Sequence, residues 1–224
     1  MVSLNIEITT LCFSFNFDNC NYFQIIEVHH GNGTQKIFNE DPNVLYFSVH
    51  RYHNGNYYPH QRNAGPNTVG DKKGAGYTIN VGWNKKGMGD DEYLAVWKTI
   101  LMPIANEFNP DLVLVSAGFD AATGDVGECN VTPECFGELT KYLLTLADAK
   151  VVCALEGGYV RSILGKCVEH VCVSLLEGAN EHCSLDEDYN ELGNIDSSAA
   201  DCIRKTISAQ LNYWPCLKKF LGEH

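Results

Sequence analysis

The sequence predicts an α/β domain built on a parallel sheet, and three observations predict it. Short uninterrupted apolar runs, Val44–Val49 (VLYFSV), Leu112–Val115 (LVLV) and Val151–Leu155 (VVCAL), have the length of strands and the composition of strands buried on both faces. Longer stretches with apolar residues at helical spacing lie between them, the alternation that crossover-connected parallel strands produce. Polar residues with metal-binding or proton-donating chemistry fall directly after the runs, where open sheets of this class bind ligands.

Ile25–Val28 reads as the end of a first strand. The Asp41-Pro42-Asn43 turn opens the strand Val44–Val49, and a Gly-rich loop precedes another at Tyr77–Val81. Asp91–Phe108 places Leu94, Trp97, Ile100, Leu101 and Ile104 on one helical face and stops before Asn109-Pro110. Leu112–Val115 and Val151–Leu155 are expected to be buried strands. Helices are expected over Pro133–Ala147, Arg161–Leu176 and Ser197–Leu211, the last capped by Ser197 or Ser198. Residues 183–196 are acidic and weakly periodic, which reads as a solvated loop. No internal repeat or linker divides the 224 residues, a length that suits one domain.

Composition narrows the function. A formal net charge of −12 argues against a basic nucleic-acid surface and suits a cationic substrate such as a lysine-rich tail or a polyamine. The ten cysteines form no Cys-x-x-Cys pair, so neither a zinc knuckle nor a redox dithiol is indicated. Their scatter through apolar runs reads as reduced, buried thiols of an intracellular protein. No run of 18 apolar residues predicts a membrane span. The first 24 residues hold no Lys or Arg, which fits neither a secretory nor a mitochondrial signal, and no basic cluster marks nuclear import.

Three clusters carry chemistry. In Glu27-Val28-His29-His30-Gly31-Asn32-Gly33-Thr34, Glu27 and His29 are two apart at a strand end and point the same way. A carboxylate and an imidazole so placed can converge on one ion of the zinc type; a structural His-His pair is the alternative. In Ser116-Ala117-Gly118-Phe119-Asp120-Ala121, a charged Asp120 after a buried strand needs a partner, either a metal or the backbone of a turn. In Leu155-Glu156-Gly157-Gly158-Tyr159, two glycines allow a close backbone approach and place Tyr159 at the mouth of the site; a packing tyrosine after a tight turn is the alternative. Successive strand ends of one sheet would bring the three clusters together.

With VHHGNGTQKIF, LYFSVHRYHNGNYYPH, GAGYTINVGWNKKGMGDDEY, NPDLVLVSAGFDAATGD and LEGGY, most of residues 28 to 160 resembles the class II histone deacetylases, closest to the class IIb, tubulin-deacetylase type. The resemblance implies an arginase–deacetylase α/β fold, a parallel sheet flanked by helices, and hydrolysis of acetyl-lysine amides on histone tails or tubulin in nucleus or cytoplasm. It places a catalytic zinc on Glu27, His29 and Asp120, and makes Tyr159 the hydrogen-bond donor to the acetyl oxygen. It sets Tyr58, Gly157 and Gly158 against the acetyl-lysine chain, and Ser48 near a structural potassium ion. No nucleic acid or membrane partner is implied.

The chain departs from that pattern at Glu27, where the family has Asp, and at Ile25, where it has another Asp. The family's paired active-site histidines lie upstream in a Gly-His-His segment, whereas the first histidine here is His29. Residues 1–24 fit no part of the pattern. The chain therefore reads as a non-family segment, 1–24, followed by the carboxy-terminal part of a catalytic domain, 25–224, incomplete on its amino-terminal side and with little or no activity of its own. A non-catalytic binding remnant and an acetylpolyamine deacetylase are the alternatives. The latter would use an acidic residue near Gly127 and Glu128. An arginase-like dimanganese site lacks its paired aspartates.

Overall fold

The computed structural model describes residues 22–24, 27–179 and 195–220. Three parallel strands, β1 (Tyr22–Gln24), β2 (Val44–Arg51) and β3 (Thr78–Trp83), form one sheet in the order β1-β2-β3. Register runs Gln24 to Tyr46 and Tyr46 to Thr78. Strands β4 (Val113–Ala117) and β5 (Val151–Leu155) pair in parallel from Val113 opposite Val151 to Ala117 opposite Leu155. Strand β1 lies alongside β4 as well, which brings the two sheets side by side. The start of the first expected strand falls at 25 and 26, outside the described residues.

Strands β2 and β4 are buried along their whole length, as uninterrupted apolar runs predict, and β3 is buried too although Thr78 and Asn80 interrupt its apolar residues. Strand β5 is not: Val152 is 48% and Leu155 57% exposed. An apolar run specifies strand propensity but not what covers its faces. Among the described residues β5 pairs only with β4. At the other end, β3 and the turn before it are covered by the last helix and its continuation. Thr206 Oγ1 donates to Asn80 O, Gln210 Nε2 to Thr78 O, and Trp214 Nε1 to Gly76 O, at 2.9, 2.7 and 2.8 Å.

Helix α1 (Asn32–Phe38) occupies what the sequence offers only as a Gly-rich turn. Asn and Gly are poor helix formers, and tertiary bonds supply the order instead. Gln35, 3% exposed, accepts from His30 and Asn80 and donates to Asn63 O. The expected helix 91–108 is three pieces: α2 (Asp90–Val96), a π-helical turn (Trp97–Leu101) and α3 (Met102–Phe108). Pro103 lacks an N–H and disrupts the ordinary ladder one turn back. The wider turn, with Met102 N–H bonded to Trp97 O, falls in that place. Left-handed Asn109 ends α3 before Pro110.

Helix α4 (Pro133–Leu143) ends four residues earlier than expected, and α5 (Arg161–Glu177) packs against it. Helix α6 (Ser197–Gln210) is capped by Asp196, one position before the expected serines, through its carboxylate on Ser198 N–H at 2.9 Å. The core gathers Trp83, Trp97, Tyr93, Phe47 and Phe136 between sheet and helices, each under 2% exposed.

Candidate metal centre

The ends of β4 and β5 and the segment before α1 converge, although the strands belong to two sheets and not to the one that the sequence predicts, and Glu27–His30 lie outside a strand. Glu27, His29 and Asp120 each turn one ligand atom inward, and the three atoms lie within 4.8 Å of one another. His29 Nδ1 stands 3.2 Å from Glu27 Oε1 and 3.0 Å from Asp120 Oδ2. Asp120 is fully buried and pinned: Val28 N–H donates to its Oδ1 at 2.9 Å. Its Oδ2 is left without an aligned donor. Two carboxylates and an imidazole around one point, one oxygen orphaned in a buried place, form a mixed O/N donor set that fits a zinc-type cation with a coordination position to spare.

Glycines make room for both acids. A Cβ on Gly118 would stand 2.6 Å from Glu27 Cγ, so the longer glutamate side chain lies against bare backbone. A Cβ on Gly157 would stand 2.7 Å from Asp120 Oδ2. The missing side chain at Gly157 thus leaves the space that the Asp120 carboxylate fills. Gly158 takes φ +122°, a conformation L side chains rarely adopt.

Aromatic rings flank His29. Tyr58 meets it edge-on at 5.7 Å and is half exposed. Tyr57, which the sequence reading passed over, stacks on it at 5.6 Å and 17°. Buried Arg51 lies 4.3 Å over the ring of Tyr57 and donates to Gly127 O, Glu128 and His53. The signal for Tyr57 was its place beside Tyr58, but nothing in adjacent tyrosines says which one faces a ligand. Tyr159 sits at the rim, 57% exposed. Burial, then the charges of Asp120 and Glu27, raise its phenol pKa, which keeps it a proton donor at neutral pH.

Behind the cluster, Ser48, His50 and His30 form a buried polar layer. His50 Nε2 faces Ala64 O at 2.9 Å and must carry the proton, so its Nδ1 accepts from Ser48 Oγ at 2.8 Å. His30 Nε2–H likewise donates to Gln35 Oε1, at 2.8 Å. Burial lowers the pKa of both rings, to about 4 for His30 and well below the ordinary value for His50. His29 behaves oppositely. Burial works against its charged form, but its close approach to Asp120 and Glu27 overcomes that and raises it to about 9.

These shifts set a stability profile. His30 and His50 are neutral in the fold, so the unfolded chain binds more protons as pH falls below 6.5. Stability then drops by up to about 1.4 kcal/mol per pH unit for each ring. The contribution of His29, whose folded pKa is raised, is fully present below pH 6.5 and is lost as pH rises through about 9. Denaturant midpoints measured without added metal are expected to peak near pH 6.5 and fall on both sides. A flat profile between those limits would contradict the two assignments.

Comparisons with known proteins bear on the family and the fold. A family model described as the histone deacetylase domain matches residues 25–175. Histone deacetylase 6 of Caenorhabditis elegans is 42% identical over 199 residues, 87% of this chain and 21% of the relative. The polyamine deacetylase HDAC10 of Danio rerio is 42% identical over 217 residues, 96% of this chain and 31% of the relative. The structure of the histone deacetylase Clr3 superposes with a TM-score of 0.86 at 36% identity, covering 96% of this chain and 35% of that one. The chain thus spans between 21% and 35% of the length of these relatives. By the family match over most of its length, carried by the strand-end motifs, this chain belongs to the histone deacetylase family.

Proposed function

We propose that the chain is a zinc-binding part of a protein-lysine deacetylase, with Glu27, His29 and Asp120 as metal ligands and Tyr159 as the donor to the acetyl oxygen. The observation that carries the reading is the convergence of His29 Nδ1 and two acidic oxygens within 4.8 Å, with Asp120 Oδ2 otherwise unclaimed. When bound there, zinc would polarise the amide carbonyl and acidify a water. The chain's own residues do the rest. Tyr57 and Tyr58 flank His29, and the phenol of Tyr159, kept protonated, donates to the developing oxyanion. Gly157 and Gly158 bring backbone close to the acetyl-lysine chain. The hydroxyl of Ser48 spends its proton on His50, which leaves its oxygen lone pairs for a potassium ion.

A general base is worth about 10²–10⁴-fold. The histidines behind the cluster, His30 and His50, are buried, neutral and bonded elsewhere, so the 224-residue chain is expected to bind better than it turns over. The substrates favoured are acetylated lysine proteins, histone tails or tubulin. Acetylpolyamine is disfavoured because Glu128 is already held by Arg51 and Lys86, at 3.0 and 3.1 Å. No described helix is long and apolar enough to cross a membrane. The described cysteines are free thiols, which supports a reducing setting in cytoplasm or nucleus.

The test is binding of a lysine-length hydroxamate with and without zinc. Binding should require zinc and weaken about tenfold in Tyr159→Phe, the worth of one hydrogen bond. Acetyl-lysine peptide and acetylspermidine, offered in parallel, should both turn over slowly, the peptide faster. Zinc-independent binding would sink the proposal.

A further inference from the structure

We infer that Asp125 is the positioning residue for Tyr159: its carboxylate fixes the turn that carries the phenol and so sets where that phenol stands beside the acidic ligands. The inference rests on the deacetylase reading for its functional meaning, but its geometry stands apart from it. Asp125 is 6% exposed. Its Oδ2 accepts from the backbone N–H of both Tyr159 and Val160, at 2.9 and 2.8 Å, and its Oδ1 from Val126 N–H at 2.7 Å. These are charge-assisted bonds to a largely desolvated carboxylate, the strong class.

The turn needs this restraint. Gly157 and Gly158 precede Tyr159 and resist few conformations. Tyr159 itself is more than half exposed, and among the described residues its hydroxyl makes no hydrogen bond. Helix α5 begins directly after Val160, which provides no side-chain cap, and its first turn holds no acidic residue. A helix start leaves N–H groups unpaired and carries partial positive charge. Asp125, reaching in from another loop, pairs the cap N–H of Val160 and brings a carboxylate to that helix start.

That loop also begins at a proposed metal ligand. Asp120 and Asp125 are joined by a tight segment in which Asp125 N–H bonds Ala122 O and Gly127 N–H bonds Asp120 O. One short, rigid stretch therefore holds a ligand at its start and the tether of the oxyanion donor at its end. The position of the Tyr159 backbone relative to Asp120 is thereby set by bonds within this stretch and by the Asp125 carboxylate.

Amide exchange resolved by residue tests the tether without metal, and hydroxamate binding tests its consequence with zinc. In Asp125→Ala, exchange at Tyr159 and Val160 should accelerate roughly ten- to a hundredfold, while Phe47 in β2 stays as slow as in the parent chain. Hydroxamate affinity should fall to the level of Tyr159→Phe, and the double variant should fall no further. Unchanged exchange at both amides, or additive losses in the double variant, would overturn the inference. Should Asp125→Ala fail to fold, Asp125→Asn decides. An amide can satisfy Tyr159 and Val160 or Val126 but not all three, so exchange should rise at one of these sites, and unchanged exchange at all of them overturns the assignment. A parent chain that ignores the hydroxamate even with zinc would refute the deacetylase reading, while the exchange data would still judge the tether.

Discussion

Zinc at about a hundred times its dissociation constant is expected to stabilise the chain by about 2.7 kcal/mol, raising its unfolding midpoint by roughly 5–10 °C for a chain of this size. The gain should vanish in Asp120→Ala. Asp120 is the most constrained of the three ligands: fully buried, clamped through Oδ1 by Val28 N–H, with Oδ2 approached only by His29 Nδ1 at 3.0 Å and by no aligned donor. The alanine variant loses both the ligand and the clamp. Asp120→Asn is the cleaner comparison, because an amide oxygen can still accept from Val28 while the negative charge is gone. It should keep the fold and lose most of the zinc response. The described thiols offer zinc other places to bind. Equal shifts in parent and variants would therefore place the metal on cysteines and sink the proposed centre.

Gly157→Ala is expected to weaken zinc binding by up to roughly a hundredfold, the upper end of what outer support of a ligand is worth. The added methyl would stand 2.7 Å from Asp120 Oδ2 and 3.0 Å from its Cγ. The carboxylate cannot swing aside without losing Val28, so the strain, about 1–3 kcal/mol, falls on the ligand. Gly165→Ala is the matched control. It lies within α5, where a Cβ meets nothing within 4 Å, and helix propensity alone predicts slight stabilisation there. Calorimetric zinc titration separates the two; equal affinities for the Gly157 and Gly165 variants would show that the crowding is harmless.

The sequence made the strands β2 and β4 legible, since continuous apolar runs are hard to place anywhere but a covered sheet. It also put Glu27, His29, Asp120 and Tyr159 at strand ends, and the structure brings the first three together. What it hid depends on long-range contact. Helix α1 has no apolar period, and Gln35 holds it through bonds to residues far along the chain. The break in the 91–108 helix follows from Pro103, which an apolar stripe outvotes when spacing alone is read. The exposure of β5 depends on neighbours, not on its own residues. Tyr57 and Asp125 carry no motif of their own; only coordinates show one stacked on an imidazole and the other gripping two backbone amides.

The family match ends at residue 175, yet the three donors that close off β3 and its approach come from Thr206, Gln210 and Trp214. Trimming the polypeptide to the matched span would strip that flank and leave the carbonyl oxygens of Asn80, Thr78 and Gly76 without these donors. The segment that carries Thr206, Gln210 and Trp214 is therefore part of the packing of β3, beyond the residues that the family model matches.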